Sequence, residues 1–149
     1  IAHMSKADSW ENDLLLLLFN NTGSANIGDV TGLRGSTVAG SLYVSLHTSS
    51  PGEAGTQATN ETTYTSYTRV AVARSGAGWT VTANSVSPVA VITFPACTGS
   101  TATITHFGIG VSALSGNDKL LYSGTVTPNI AVSTGISPQL PITTTITED

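Results

Sequence analysis

The stretch from Thr101 to Thr127, TATITHFGIGVSALSGNDKLLYSGTVT, constrains this chain more than any other. It reads as two β-strands joined by a turn-forming loop. Thr105, Phe107, Ile109 and Val111 fall at one parity, which places them on one face of a strand whose side chains alternate. Leu120, Tyr122 and Val126 do the same in the second run. Between the runs, SALSGNDK supplies Gly116, Asn117 and Asp118, residues that tolerate left-handed or turn backbone. One hairpin cannot hide an apolar face from water, so other segments must cover it.

At 149 residues the chain suits one domain with an ordinary core. Only 9% of it is charged, against roughly 25% in a usual soluble domain. Disorder is a poor explanation, because disordered chains are rich in charge and poor in β-branched residues. Threonine is β-branched and hydroxylated, and suits strands that are half wet and half buried. The net charge of −4, with Lys6, Arg34, Arg69, Arg74 and Lys119 scattered, argues against nucleic-acid binding. The single cysteine, Cys97, allows no intrachain disulfide and reads as a small buried thiol within VITFPAC. The apolar run Leu14 to Phe19 falls short of the about 20 residues that span a membrane, and no signal peptide is expected before it. Residues 1–3 read as a vector-derived remnant before Met4, so His3 is set aside.

The one expected helix lies in residues 4–23. Asp8 and Glu11 have capping-box spacing, and acidic residues suit the positive end of a helix dipole. Trp10, Leu14, Leu17 and Leu18 form an apolar stripe, while Leu15, Leu16 and Phe19 spread apolar character to the other faces. A small β-domain rarely encloses such a helix on every side, so part of it is expected to pack on a neighbouring subunit or a larger assembly. The alternative is a helix wholly covered by its own sheet.

Residues 24–149 are expected to form one β-sandwich domain. The polar, Gly-rich connection from Ser24 to Gly40 has no period, and long loops of this kind are either functional or pinned against a partner. SLYVSLHT follows, with Leu42, Val44 and Leu46 on one face and Tyr43, Ser45 and His47 on the other. It breaks at the Pro-Gly turn of SSPGEAG. YTSYTRVAVAR reads as a long strand, then WTVTAN, then Ser85 to Phe94 interrupted at Pro88, with Ile130–Thr134 and Pro141–Thr147 as short closing strands. Pro88 and Pro95 favour edge or terminal positions. The sum is an antiparallel, jelly-roll-like sandwich of about seven or eight strands with one amino-terminal helix.

No residue pattern dictates a chemistry. There is no GxSxG elbow, no phosphate loop and no GxGxxG opening a helix. Gly108 and Gly110 lie inside a strand, where glycine marks a bulge or a close approach. His47 and His106 are the candidate general bases, each expected to face solvent, a loop or an interface. Two histidines so far apart give no metal signature, and a calcium site at Asn117 and Asp118 is less expected than a solvated turn. No cofactor is implied. A sugar site would call on Tyr43, Tyr64, Tyr67, Trp79 or Tyr122, although aromatics in strands more often pack than bind.

Several segments in fixed order carry a resemblance: MSKADSWENDLLLLLFNNT, AGSLYVSLHTSSPGEAG, YTSYTRVAVARSGAGW, ITFPACTG, ITHFGIG and KLLYSG. Together, from Met4 to Asp149, they resemble the small virion proteins of tailed phages and prophages known as phage tail fibre proteins. The resemblance implies a non-enzymatic structural component of the virion, either tail-associated or a capsid decoration. Its implied partners are further copies of itself and other virion proteins. Relatives often carry an acidic residue before the Pro-Gly, where this chain has Ser50. Symmetric assembly would bury apolar surface, with Trp10, Leu15, Leu16 and Phe19 or the loops around Arg34 and Pro51 as the expected contacts. The alternative is a module at a tail tip that binds a host receptor or surface glycan.

Overall fold

The computed structural model describes residues 4–114, 116 and 118–149. Its elements are α1 (Asp8–Asn20), β1 (Ser41–His47), β2 (Val70–Ala73), β3 (Trp79–Thr82), β4 (Ser85–Pro88), β5 (Ile92–Thr93), β6 (Ala102–Gly110), β7 (Leu120–Val132), β8 (Gln139–Leu140) and β9 (Ile146–Thr147). The protein is mainly β, with antiparallel sheets and one helix near the amino end, as the sequence pattern predicts. The vector-remnant reading of residues 1–3 lies outside the described residues. Contacts divide the rest into two compact units, the first made of the segments up to Gly40, Ala73–Ala90 and Pro141–Asp149, the second of Ser41–Val72 and Val91–Leu140.

In the first unit β3, β4 and β9 form an antiparallel sheet, with Trp79 opposite Pro88 and Val86 opposite Ile146. Pro88 ends its strand, where its missing N–H costs the ladder least. α1 packs on β3 and β4. Its buried line is Glu11, Leu15 and Phe19, spaced by four residues, and Phe19 meets Trp79 edge to face with ring centroids 4.9 Å apart. This corrects the expected stripe: Trp10, Leu14, Leu17 and Leu18 are only half-buried. The capping box is not formed either. Ala7 is the N-cap and makes no side-chain cap bond, so Asp8 and Glu11 act only as acidic residues in the first turn.

The helix ends on Asn21 in left-handed backbone (φ 55°), with the Thr22 N–H on the Leu16 carbonyl at 3.0 Å. No basic residue stands in its last turn. Arg74 supplies the charge from elsewhere in the chain, donating from Nε to the Leu18 carbonyl at 2.7 Å and from Nη2 to the Leu17 carbonyl at 2.6 Å. It thereby satisfies carbonyls that the helix leaves open and opposes the negative end of the dipole.

In the second unit the sheet order is β2-β1-β6-β7, and a separate pair joins β5 to β8. Val44, Leu46, Ile104, Phe107, Ile109 and Phe94 are buried at 4% exposure or less. The parity expected in β6 shifts, because the register with β7 is irregular between Ile104 and His106. Ile104 therefore reaches the core and Thr105 stays half-buried. β7 is longer than the sequence suggests, running through Ile130 to Val132 rather than stopping and restarting. β2 is shorter than the expected YTSYTRVAVAR strand. Residues 61–69 are instead fixed by side-chain bonds, described next.

Candidate functional site

β1 is buried on both faces. Leu42, Val44 and Leu46 line the apolar side, yet Ser45 and His47, on the opposite side, are also 0% exposed. The loop after β1 returns over that polar side. It pairs Thr48 N–H with the Asn60 carbonyl and Thr62 N–H with the Leu46 carbonyl, both at 2.9 Å. Gln57 at its centre is fully buried, and its Nε2 donates to the Tyr43 carbonyl at 2.7 Å.

The two glycines of β6 make this layer possible. Ser45 stands opposite Gly108 and Tyr43 opposite Gly110. A Cβ on Gly108 would lie 2.8 Å from both His47 Nε2 and Ser45 Oγ, and one on Gly110 would lie 1.9 Å from Gln57 Oε1. The glycines are close-approach positions, as their place in a strand suggests.

His47 holds the layer together. Its Nδ1 lies 2.8 Å from the Thr59 carbonyl, which can only accept, so Nδ1 carries the proton and Nε2 accepts from the Ser45 hydroxyl at 2.9 Å. Burial lowers the imidazole pKa from its ordinary value; Arg69 and His106 push the same way, while Thr59 and Glu61 oppose. Of the three destinations expected for His47, the structure shows the loop. A serine hydroxyl bonded to a histidine nitrogen has the geometry of an activated nucleophile. Here both side chains are fully buried, and the pair does the work of two satisfied core polar groups.

Arg69 fastens the other end of the loop. Its Nε and Nη2 grip both Glu61 oxygens at 2.8 Å, Nη2 also reaches Asp118 at 2.7 Å, and Nη1 donates to the Ser112 carbonyl at 3.1 Å. The two-point grip is the strong geometry for a carboxylate. Tyr67 adds its hydroxyl to Glu61 at 2.8 Å and receives the Leu46 N–H at 3.0 Å. Burial and the adjacent Glu61 carboxylate raise the Tyr67 phenol pKa. The Gly116 N–H, with Arg69 second, holds the Asp118 carboxyl below its ordinary range. Asp118 is thus committed to protein groups, and Asn117, the other residue of that expected solvated turn, lies outside the described residues. Sequence reasoning assigned no role to Arg69, Glu61 or Gln57, and only their shared loop hints at one.

The expected contact residues scatter. Leu15 and Phe19 are fully buried in the first unit, and Pro51 is buried in the second. A residue already at 0% exposure offers no surface to a partner, because the sheet covers the helix side that carries it. Trp10 and Leu16 remain half-buried, and Arg34 is exposed. His106 is half-buried, with Nδ1 2.8 Å from Thr105 Oγ1. Among the described residues no aromatic side chain is exposed, and Tyr64, pushed up to about 12 by burial, spends its hydroxyl on the Pro95 carbonyl. Tyr43, Tyr67 and Tyr122, three of the residues a sugar site would call on, are half-buried.

The surface that does gather apolar groups is the loop 24–40 of the first unit. Val30 is 84% exposed and Val38 80%, with Ile27 and Leu33 also outward. The loop is nevertheless pinned. Ser24 and Leu33 exchange backbone hydrogen bonds at 2.8 Å, and Asn21 clasps Ser36 from both sides at 2.6 and 2.9 Å. Gly32, at φ +59°, passes where a Cβ would fall 1.9 Å from the Ser24 carbonyl. Its ordering is therefore complete before any partner arrives. The loop, expected to be either functional or pinned against a partner, is held by bonds within its own unit.

A family model described as Podophage GP4 fiber I protein gp80 matches residues 7–147. No curated protein matches the chain.

Proposed function

The chain belongs to the Podophage GP4 fiber I protein gp80 family and is a phage virion structural protein; from that premise we propose that it is a non-enzymatic, tail-fibre-type component that assembles with copies of itself and docks on other virion proteins. The family match carries this reading. The pinned loop 24–40 supports it, because rigid apolar side chains held in water are what an assembly contact requires. Burying each of Val30 and Val38 is worth about 1.5–3 kcal/mol before other costs. Charge is low and mixed here, with Asp29 and Arg34 the loop's only ionised residues, so little desolvation opposes contact.

The test is electron microscopy of the native particle with an antibody against this chain. Label on the tail is the expected result. Label on the head makes it a capsid decoration, and particles without label end the virion reading. Val30→Asp with Val38→Asp should abolish incorporation while leaving the circular dichroism spectrum unchanged.

A further inference from the structure

We infer that residues 51–59 form a flap over the polar side of β1 that mild acid opens, with His47 as its latch, while the strands beneath stay paired. The flap leaves the chain through a closed neck. Asn60 Nδ2 donates to the Ser50 carbonyl at 2.9 Å, and the Thr48 N–H meets the Asn60 carbonyl at 2.9 Å. Just past the neck, Arg69 grips Glu61 and fixes the end that continues toward β2. Gly52 at φ +71° and Asn60 at φ 55° are the left-handed positions where the chain turns out and back.

Little apolar burial holds this segment down. Pro51 and Gln57 are its buried residues, whereas Gly52, Glu53, Ala54, Thr56 and Ala58 are exposed. Hydrogen bonds tie it to the body of its unit instead. Gln57 donates its backbone N–H to the Asp118 carbonyl and its Nε2 to the Tyr43 carbonyl, both at 2.7 Å, and the Thr59 carbonyl accepts from His47 Nδ1 at 2.8 Å. Segments with few buried apolar contacts open at a lower cost than the core beside them.

The neutral ring of His47 suits the closed flap, since each of its nitrogens has a partner. A second ring proton, at Nε2, changes that. It points at Ser45 Oγ, whose own proton must then turn to the Gly108 carbonyl at 3.4 Å, a long contact. The charges facing the ring do not balance it. Glu61, bridged to His47, favours the charged form, but Arg69 already grips both its oxygens. Burial disfavours that form most, and Arg69 and His106, the latter opposite on β6, add to it. A charged ring therefore calls for water. β6 cannot yield without breaking its ladder with β1, so the flap is the cover that moves.

Amide hydrogen exchange of the full chain, corrected for the intrinsic effect of pH, tests the inference. From about pH 7.5 to about pH 5.5 the protection of the Gln57 amide should fall, by up to about tenfold per pH unit below the ordinary imidazole value. Amides of the β1–β6 ladder should keep theirs. His106→Gln, which removes the half-buried imidazole opposite, should leave that fall in place, and His47→Gln should abolish it. Should His47→Gln not fold, NMR titration of the natural ring supplies the readout. Gln57→Ala cuts the bond to Tyr43, makes the flap easier to open, and should move the His47 midpoint up toward 6.5. Ladder amides that lose protection in step with Gln57 overturn the inference, because the whole unit then opens. So do a Gln57 amide indifferent to pH, a fall that survives His47→Gln, and a His47 midpoint unmoved by Gln57→Ala.

Discussion

The Ser45 hydroxyl lies 2.9 Å from Nε2 of His47, and both side chains are fully buried beneath the loop that follows β1. Ser45 Oγ also lies 3.4 Å from the Gly108 carbonyl of β6, and the second ring nitrogen of His47 finds its partner in the loop. Thr59 provides it, and Gly108 provides the room. This arrangement makes the loop part of the core of its unit, and its stability should respond to the protonation of one imidazole.

His47 titrates below its ordinary value of 6.5 because burial disfavours the charged ring. The unfolded chain therefore takes up a proton near pH 6.5 that the folded chain refuses. Above that pH both states are neutral and the full stability is present. As pH falls below about 6.5, stability should drop by up to about 1.4 kcal/mol per pH unit, until the folded-state value is reached. Urea midpoints at about pH 7.5 and about pH 5.5 measure this, and His47→Gln should flatten the difference. An equal drop in the variant would assign the pH dependence to another group.

Gly110 and Gln57 should behave as a coupled pair. Gly110→Ala places a methyl group within 1.9 Å of Gln57 Oε1, so it should destabilise by about 1–3 kcal/mol through overpacking. Gln57→Ser shortens the obstructing side chain, and the double variant should recover much of the loss. A double-mutant cycle of denaturant unfolding reads the coupling; additive losses would mean that the backbone of β6, not Gln57, resists the methyl group.

Arg69 is 4% exposed and faces Glu61 at 14%. Arg69→Met should cost about 3 kcal/mol, since breaking a covered pair strands the remaining charge. Arg69→Lys should restore less than half, because an ammonium cannot grip both carboxylate oxygens. If Met and Lys are equivalent to the natural residue by thermal unfolding, the loop is held by Tyr67 and the backbone bonds alone.

Leu15 and Leu16 are neighbours with different fates. Leu15→Asp buries a carboxylate at a position with 0% exposure and should unfold the helix, seen as lost helical circular dichroism. Leu16, half-buried, should accept Asp with the spectrum intact. Loss of structure in both would place Leu16 in the core as well.

Much of the fold was legible in the chain. Alternation of side chains is a property of the strand itself, and it marked β1, β3 and the β6–β7 pair, while Pro88 marked where β4 stops. The polar site was not legible. SLYVSLHT alternates cleanly, and that alternation normally means one wet face; nothing local says that Gln57 and Thr59 return to cover Ser45 and His47. The helix misled for a related reason. With five leucines in a row, Leu14 to Leu18, periodicity cannot choose a face, and the choice fell to the fit of Phe19 against Trp79.

By itself, then, the sequence determined the class: β-branched alternation, turn residues and one apolar helix admit a mainly antiparallel protein and little else. Tertiary structure alone decided which polar groups are buried and which arginine closes the helix. Those outcomes depend on pairings between residues distant in sequence, such as Arg74 with Leu17 and Arg69 with Asp118. Distant partners leave no periodic trace in either segment, because each satisfies its geometry only when the other is already in place.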